Sequence, residues 1–168
     1  MNIPKILCKL RPGASWSFDG TDYAGITWHD GVQSKPSLSD MTAASLAVDK
    51  TEMWAKIKAE RERRKFTSGF KVGTLWFNSD ANSRSQYNTM LNMAVEQSLL
   101  ATYAFRPAWK TMSGATTPMT VALVRQIRDA ALINEAAIFD NAESHKTAME
   151  ASATPLSYNF STGWPATF

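Results

Sequence analysis

Cysteine is almost absent from the 168-residue sequence, since Cys8 is its single example. One cysteine forms no disulfide within the chain and cannot supply a cysteine-rich metal site. The cysteine count therefore argues against a small secreted scaffold held by disulfides, and it fits a reducing interior.

Long hydrophobic runs are also missing. No stretch approaches the roughly 18 uninterrupted apolar residues that a membrane-spanning helix needs. The apolar start, Met1–Leu10, is too short for a signal peptide, and Arg11-Pro12-Gly13 interrupts it. We therefore expect a soluble chain without membrane insertion.

Neither basic nor acidic residues are in large excess. The chain has 18 basic and 15 acidic residues, for a net charge of +3. The densest basic segment, Lys56–Lys65, is interleaved with Glu60 and Glu62. This pattern favours a solvated amphipathic helix over a phosphate-binding stripe, and predicts no nucleic-acid partner.

No pattern of reactive residues indicates catalysis. The sequence contains no HExxH, no phosphate-binding loop, no nucleophile elbow and no GxGxxG. His29 is next to Asp30 and His145 is near Glu143, but residues at such spacing do not face each other on regular elements. The sequence therefore predicts no catalytic, cofactor-binding or metal-binding residues, and a protein that is not an enzyme.

Paired apolar runs separated by turn residues predict three β-hairpins. Asp19–Asp22, Gly73-Thr74 and Ser113-Gly114 are the predicted turns. The predicted strands are Ser15–Phe18 with Ala24–Trp28, Phe70–Val72 with Leu75–Phe77, and Trp109–Met112 with Ala115–Thr117.

Helical periodicity predicts three longer elements. A charged helix, capped by Ser37 and with a break near Asp49, reaches Lys65. A second helix, capped by Ser79 or Asp80, covers Ala81–Leu100, and a connector with Pro107 follows. The last helix, Met119–Ala153, is rich in alanine, and such helices usually pack against a helix of the same or another chain.

These elements predict an α+β fold with short antiparallel β-hairpins, a mid-chain helix and a long C-terminal helix. We expect four parts in the chain. They are an N-terminal hairpin module (1–36), a charged helical linker (37–65), a β-β-α-β-β-α domain (66–153) and an aromatic C-terminal tail (154–168).

Six aromatic residues are candidates for protein binding. They are Trp16, Trp28, Tyr158, Phe160, Trp164 and Phe168. The first two could stack on a sugar together with Tyr23, although aromatic pairs across a hairpin mostly stabilise the hairpin. The tail aromatics are costly to leave in water. They either pack on the chain's own core or dock on a partner.

Short blocks in the second half of the sequence resemble a known family. The blocks are Gly69–Gly73, Trp76-Phe77, Ser79-Asp80, Ser83-Arg84, Trp109–Met112, Ala148–Ala151 and Gly163–Ala166. In this order, over about residues 60–168, they resemble a domain-of-unknown-function family found on tailed-phage tail and tail-fibre proteins. Residues 11–37 are similar to a hairpin module that begins short tail-region proteins. Ser113-Gly114 departs from the more acidic turn expected there.

The resemblance implies a structural component of a bacteriophage tail. We expect a baseplate or tail-fibre-associated virion subunit that meets other phage tail proteins, with a homo-oligomer as a further option. Its location would be the virion tail, and the host cytoplasm during assembly. A tail-fibre assembly chaperone that is not retained in the particle is the alternative, and a cell-wall hydrolase is disfavoured because no paired carboxylates are evident.

Overall fold

The computed structural model describes residues 1–168 and confirms the α+β class. Its four α-helices are α1 (Ile3–Leu10), α2 (Leu38–Thr67), α3 (Ala81–Glu96) and α4 (Val121–Glu150). Its strands form three separate antiparallel pairs: β1 (Trp16–Phe18) with β2 (Ile26–Trp28), β3 (Phe70–Val72) with β4 (Leu75–Phe77), and β5 (Ala104–Lys110) with β6 (Thr116–Thr120). None of the helices combines the length and the apolar character that crossing a bilayer requires.

All three predicted hairpins are present. Trp16 lies opposite Trp28 in the first, and Phe70 lies opposite Phe77 in the second. The third hairpin is longer than predicted, and Pro107 lies inside β5 instead of in a connector. The register of this pair shifts between Arg106 and Trp109. Such an irregularity accommodates a residue that has no N–H to donate to the partner strand.

The predicted break near Asp49 is wrong, because α2 is one continuous helix. Its sequence contains neither glycine nor proline to interrupt it. The predicted cap is confirmed: the Asp40 N–H donates to the Ser37 hydroxyl, and the Asp40 carboxylate accepts the Ser37 N–H, each at 3.1 Å.

Helix α3 begins as predicted and ends four residues early. The Asp80 carboxylate accepts the Ser83 N–H at 2.9 Å, so Asp80 is the cap. The helix ends at Glu96, not at Leu100, and Ser98 has a positive φ of 50°. A residue in the left-handed conformation directly after a helix stops the helical hydrogen-bond pattern from continuing.

The residues fall into two compact units. Unit 1 contains residues 1–56 and 146–159, and unit 2 contains 57–145 and 160–168. The predicted division into four parts stays a prediction. The core of unit 1 is formed by Ile3, Ile6, Leu7, Ile26 and Met41. The core of unit 2 is formed by Phe70, Phe77, Tyr87, Met90, Trp109, Met119, Val124 and Ile127.

Candidate protein-binding surface

The last part of the predicted tail, residues 160–168, packs on unit 2 of its own chain. The Trp164 indole Nε1 donates to the Phe160 carbonyl oxygen at 2.6 Å. The centroids of the Trp164 and His145 rings are 5.2 Å apart, and the Arg64 guanidinium carbon lies 5.1 Å from the centroid of the Trp164 ring. Aromatic and cation–π contacts of this kind favour a fixed ring position. Trp164 therefore anchors the tail.

Two side chains of α4 hold the tail backbone. His145 is 9% exposed, and its Nε2 lies 2.9 Å from the Thr162 carbonyl oxygen. Asn141 Nδ2 donates to the Gly163 carbonyl oxygen at 2.7 Å. These hydrogen bonds give the tail carbonyl groups the partners that a helix or a sheet would otherwise provide. The long sequence separation between α4 and the tail hid these contacts from sequence reasoning.

The tail ends in an exposed aromatic contact. The Phe168 N–H donates to the Ser68 carbonyl oxygen at 3.1 Å, which fixes the backbone there. The Phe168 ring meets Trp76 of β4 edge-on, with 6.1 Å between centroids, and 59% of Phe168 remains exposed. We call Trp76 and Phe168 the aromatic edge. The aromatic edge is an apolar surface that stays partly exposed on the folded chain.

A partly buried ion-pair cluster connects α2, α3 and α4 within unit 2. The Glu135 carboxylate contacts Lys65 Nζ and, at 2.9 Å, Arg84 Nη1. Burial alone raises the pKa of Glu135, but the two cations outweigh it, so the net pKa lies below the usual value. Arg84 also donates from Nε to the Ser79 carbonyl oxygen at 2.7 Å. Arg84 therefore ties the start of α3 to α4.

The remaining candidate aromatics lie in unit 1. Trp16 and Trp28 are half-buried and pack on the unit 1 core, and the Trp28 indole N–H donates to the Gln33 carbonyl oxygen at 2.7 Å. Tyr158 is half-buried as well. The six predicted residues therefore do not form one site within either unit: three belong to unit 1, and Phe160, Trp164 and Phe168 belong to unit 2.

Sequence reasoning missed a groove between α3 and β5. It has a volume of about 320 Å³, and Met90, Met93, Tyr103, Phe105 and Arg106 are among its lining residues. The rings of Tyr103 and Phe105 meet edge-on at 5.4 Å. The pairing of β5 with β6 contains register shifts, so the regular alternation of side chains along a strand does not predict that these residues share one surface.

The polar groups around His29 form no relay to a carboxylate. His29 Nε2 lies 2.9 Å from the Ser17 hydroxyl on the exposed face of the first hairpin. The Asp30 carboxylate instead accepts backbone N–H groups of Gln33, Val32 and Ser15. These hydrogen bonds, that from Gln33 foremost, lower the pKa of Asp30. No group of three or more His, Cys, Asp or Glu side chains is arranged to hold a metal ion.

Comparison with known proteins gives one family. The sequence model described as Domain of unknown function (DUF4376) matches residues 48–162. No curated protein and no solved structure matches the chain. Because the family match spans more than half of the sequence, from within α2 into the tail, the chain belongs to the DUF4376 family.

Proposed function

We propose that this chain is a structural component of a tailed-phage tail. It acts as a baseplate or tail-fibre-associated subunit by protein–protein contacts in the virion, and it catalyses no reaction. The ordered blocks between Gly69 and Ala166 support the viral assignment, because they resemble a family found on tail and tail-fibre proteins. The family match at residues 48–162 overlaps most of these blocks.

The observation that carries the proposal is the aromatic edge. Asn141 and His145 of α4 hold the tail backbone by hydrogen bonds, and the Phe168 N–H donates to the Ser68 carbonyl oxygen, so Phe168 is held in place before any partner arrives. A surface ordered in advance loses little conformational entropy on binding. Aromatic anchors at the centre of a contact also contribute a large share of binding energy. These features suit a subunit that joins other proteins.

Incorporation into particles tests this proposal. A chain with Phe168→Asp places a carboxylate in the aromatic edge, and we expect its incorporation to fall at least about tenfold, as for the loss of one interface anchor. Phe168→Leu keeps an apolar side chain and retains most of the incorporation. Val32→Asp adds the same charge at a position that is 97% exposed, and it serves as the matched control. Equal incorporation of Phe168→Asp and Val32→Asp would remove the aromatic edge from the proposal.

The groove between α3 and β5 favours one alternative, a tail-fibre assembly chaperone that leaves before the particle is complete. Its lining residues Met90 and Met93 have flexible thioether side chains, which adapt to varied apolar partners. Peptide mapping separates the two functions. A subunit is found in purified particles at a fixed copy number, whereas a chaperone is found in the lysate of infected cells and is missing from particles.

A further inference from the structure

Helix α4 has an exposed face that no other element of unit 2 covers. Leu132 is 62% exposed and Ile133 is 72% exposed, in the middle of the helix. Arg125, Asp129, Ala136 and Asp140 are exposed as well. At 3.6 residues per turn, these six side chains lie within an arc of about 100° around the helix axis. We call them the α4 face.

The charges of the α4 face are arranged for antiparallel pairing with an identical helix. Arg125 precedes Leu132 by seven residues, and Asp140 follows Ile133 by seven, so each charge lies two turns from the apolar centre. When two copies run antiparallel with Leu132 opposite the other copy's Ile133, Arg125 of each copy lies opposite Asp140 of the other. Parallel pairing would instead set Arg125 against Arg125.

A small residue on the α4 face allows the two helices to approach each other. Ala136 lies between Leu132 and Ile133 on the face, and its short side chain lets two backbones come close. Leu132 also borders a groove of about 200 Å³ between α3 and α4, which extends the surface that a second copy can cover. Asp129 is held by Arg128 of the same helix, with 2.7 Å between the charged atoms, so its charge is partly compensated.

We propose that two copies of this chain associate through the α4 face, as an antiparallel pair centred on Leu132 and Ile133. The apolar centre is small, so the interface belongs to the lower size class and the dimer dissociates on dilution. Such self-association stands independently of a role in phage tails, because it depends only on this helix.

Sedimentation of the full chain over a concentration series up to about 1 mM, where a contact of even millimolar Kd is half-formed, tests the proposal. We expect a reversible monomer–dimer equilibrium. Leu132→Asp weakens it more than about tenfold, because two carboxylates then enter the apolar centre. Val95→Asp, at an α3 position that is 74% exposed, leaves it unchanged. A wild-type chain that stays monomeric throughout the series would refute the proposal.

Charge reversal tests the antiparallel register. Arg125→Asp alone and Asp140→Arg alone each place like charges opposite each other twice, and each should weaken the dimer about tenfold. Mixing the two variants pairs opposite charges at both ends and restores the wild-type affinity. The double variant Arg125→Asp/Asp140→Arg restores it as well. If mixing brings no recovery, the helices do not pair in this register.

Discussion

Replacing Trp164 by alanine tests most sharply whether the tail is part of the folded unit. A tryptophan buries 150–250 Å² when fully enclosed, and Trp164 is half-buried, so about 100 Å² of apolar surface is lost. At about 25 cal/mol per Å² this amounts to about 2.5 kcal/mol. The hydrogen bond to the Phe160 carbonyl adds about 1 kcal/mol. We therefore expect the free energy of unfolding to fall by about 2–4 kcal/mol, where the upper value assumes a fully extended unfolded chain.

Urea unfolding followed by far-UV circular dichroism measures this change, because the signal reports the helices and not the deleted indole. Trp164→Phe keeps an aromatic ring beside His145 but loses the N–H and part of the contact area of the larger indole, so we expect a loss of about 1–2 kcal/mol. Phe168→Ala, in the same tail, removes one exposed aromatic pair and costs about 1 kcal/mol. A Trp164→Ala chain within about 0.5 kcal/mol of wild type would show that the tail does not pack as described.

Three further predictions concern the scaffold of unit 2. The folded-state pKa of Glu135 is lowered, so its ion pairs stabilise the fold above the unfolded pKa of about 4.5 and stop doing so as the pH falls. The deficit of Glu135→Gln relative to wild type, measured by urea unfolding, should therefore shrink between about pH 6 and pH 3. Asp80→Ala removes the α3 cap and should cost about 1 kcal/mol in the same assay. Gly69→Ala should lower the thermal midpoint and cost about 1–3 kcal/mol, because Gly69 has a φ of +69° and a Cβ there would lie 2.3 Å from Met112 Sδ.

Each of these predictions has an opposing result. A Glu135→Gln deficit that is constant with pH would mean that the carboxylate is not ion-paired in the folded chain. An Asp80→Ala chain as stable as wild type would mean that the carboxylate does not cap α3, and Asp80→Ser, which retains a capping oxygen, is the control that should keep most of the stability. If Gly69→Ala matches the wild-type midpoint, the left-handed turn before β3 is not required.

Local signals in the sequence predicted much of the fold. The turns Gly73-Thr74 and Ser113-Gly114 identified two hairpins, because glycine adopts the positive φ that tight turns need. The place of Ser79 and Asp80 before a helical stripe predicts a cap at one of the two residues, and the structure shows that it is Asp80. The capping box at Ser37 was visible for the same reason.

Features that depend on distant contacts or on a single backbone angle could not be predicted. The early end of α3 depends on Ser98, a non-glycine residue with positive φ that carries no clear sequence signal. The sequence predicts Pro107 in a connector, because proline rarely lies inside a strand. The register shifts that allow Pro107 in β5 appear only in the paired strands. The position at which the tail packs depends on His145, which is 17 residues away in sequence from Thr162, the residue that it contacts. The α4 face was hidden because alanine-rich periodicity does not tell which side of a helix is covered.

Site-specific photo-crosslinking in assembled tails tests the central claim, that this chain works by binding other proteins through its aromatic edge. A photoreactive amino acid at Phe168, with position Val32 as the control, is introduced into the chain during phage production, and crosslinked products of purified particles are identified by mass spectrometry. We expect a product that joins position 168 to another tail protein and no such product from position 32. Particles that lack the chain, or that give no crosslink from position 168, would contradict it.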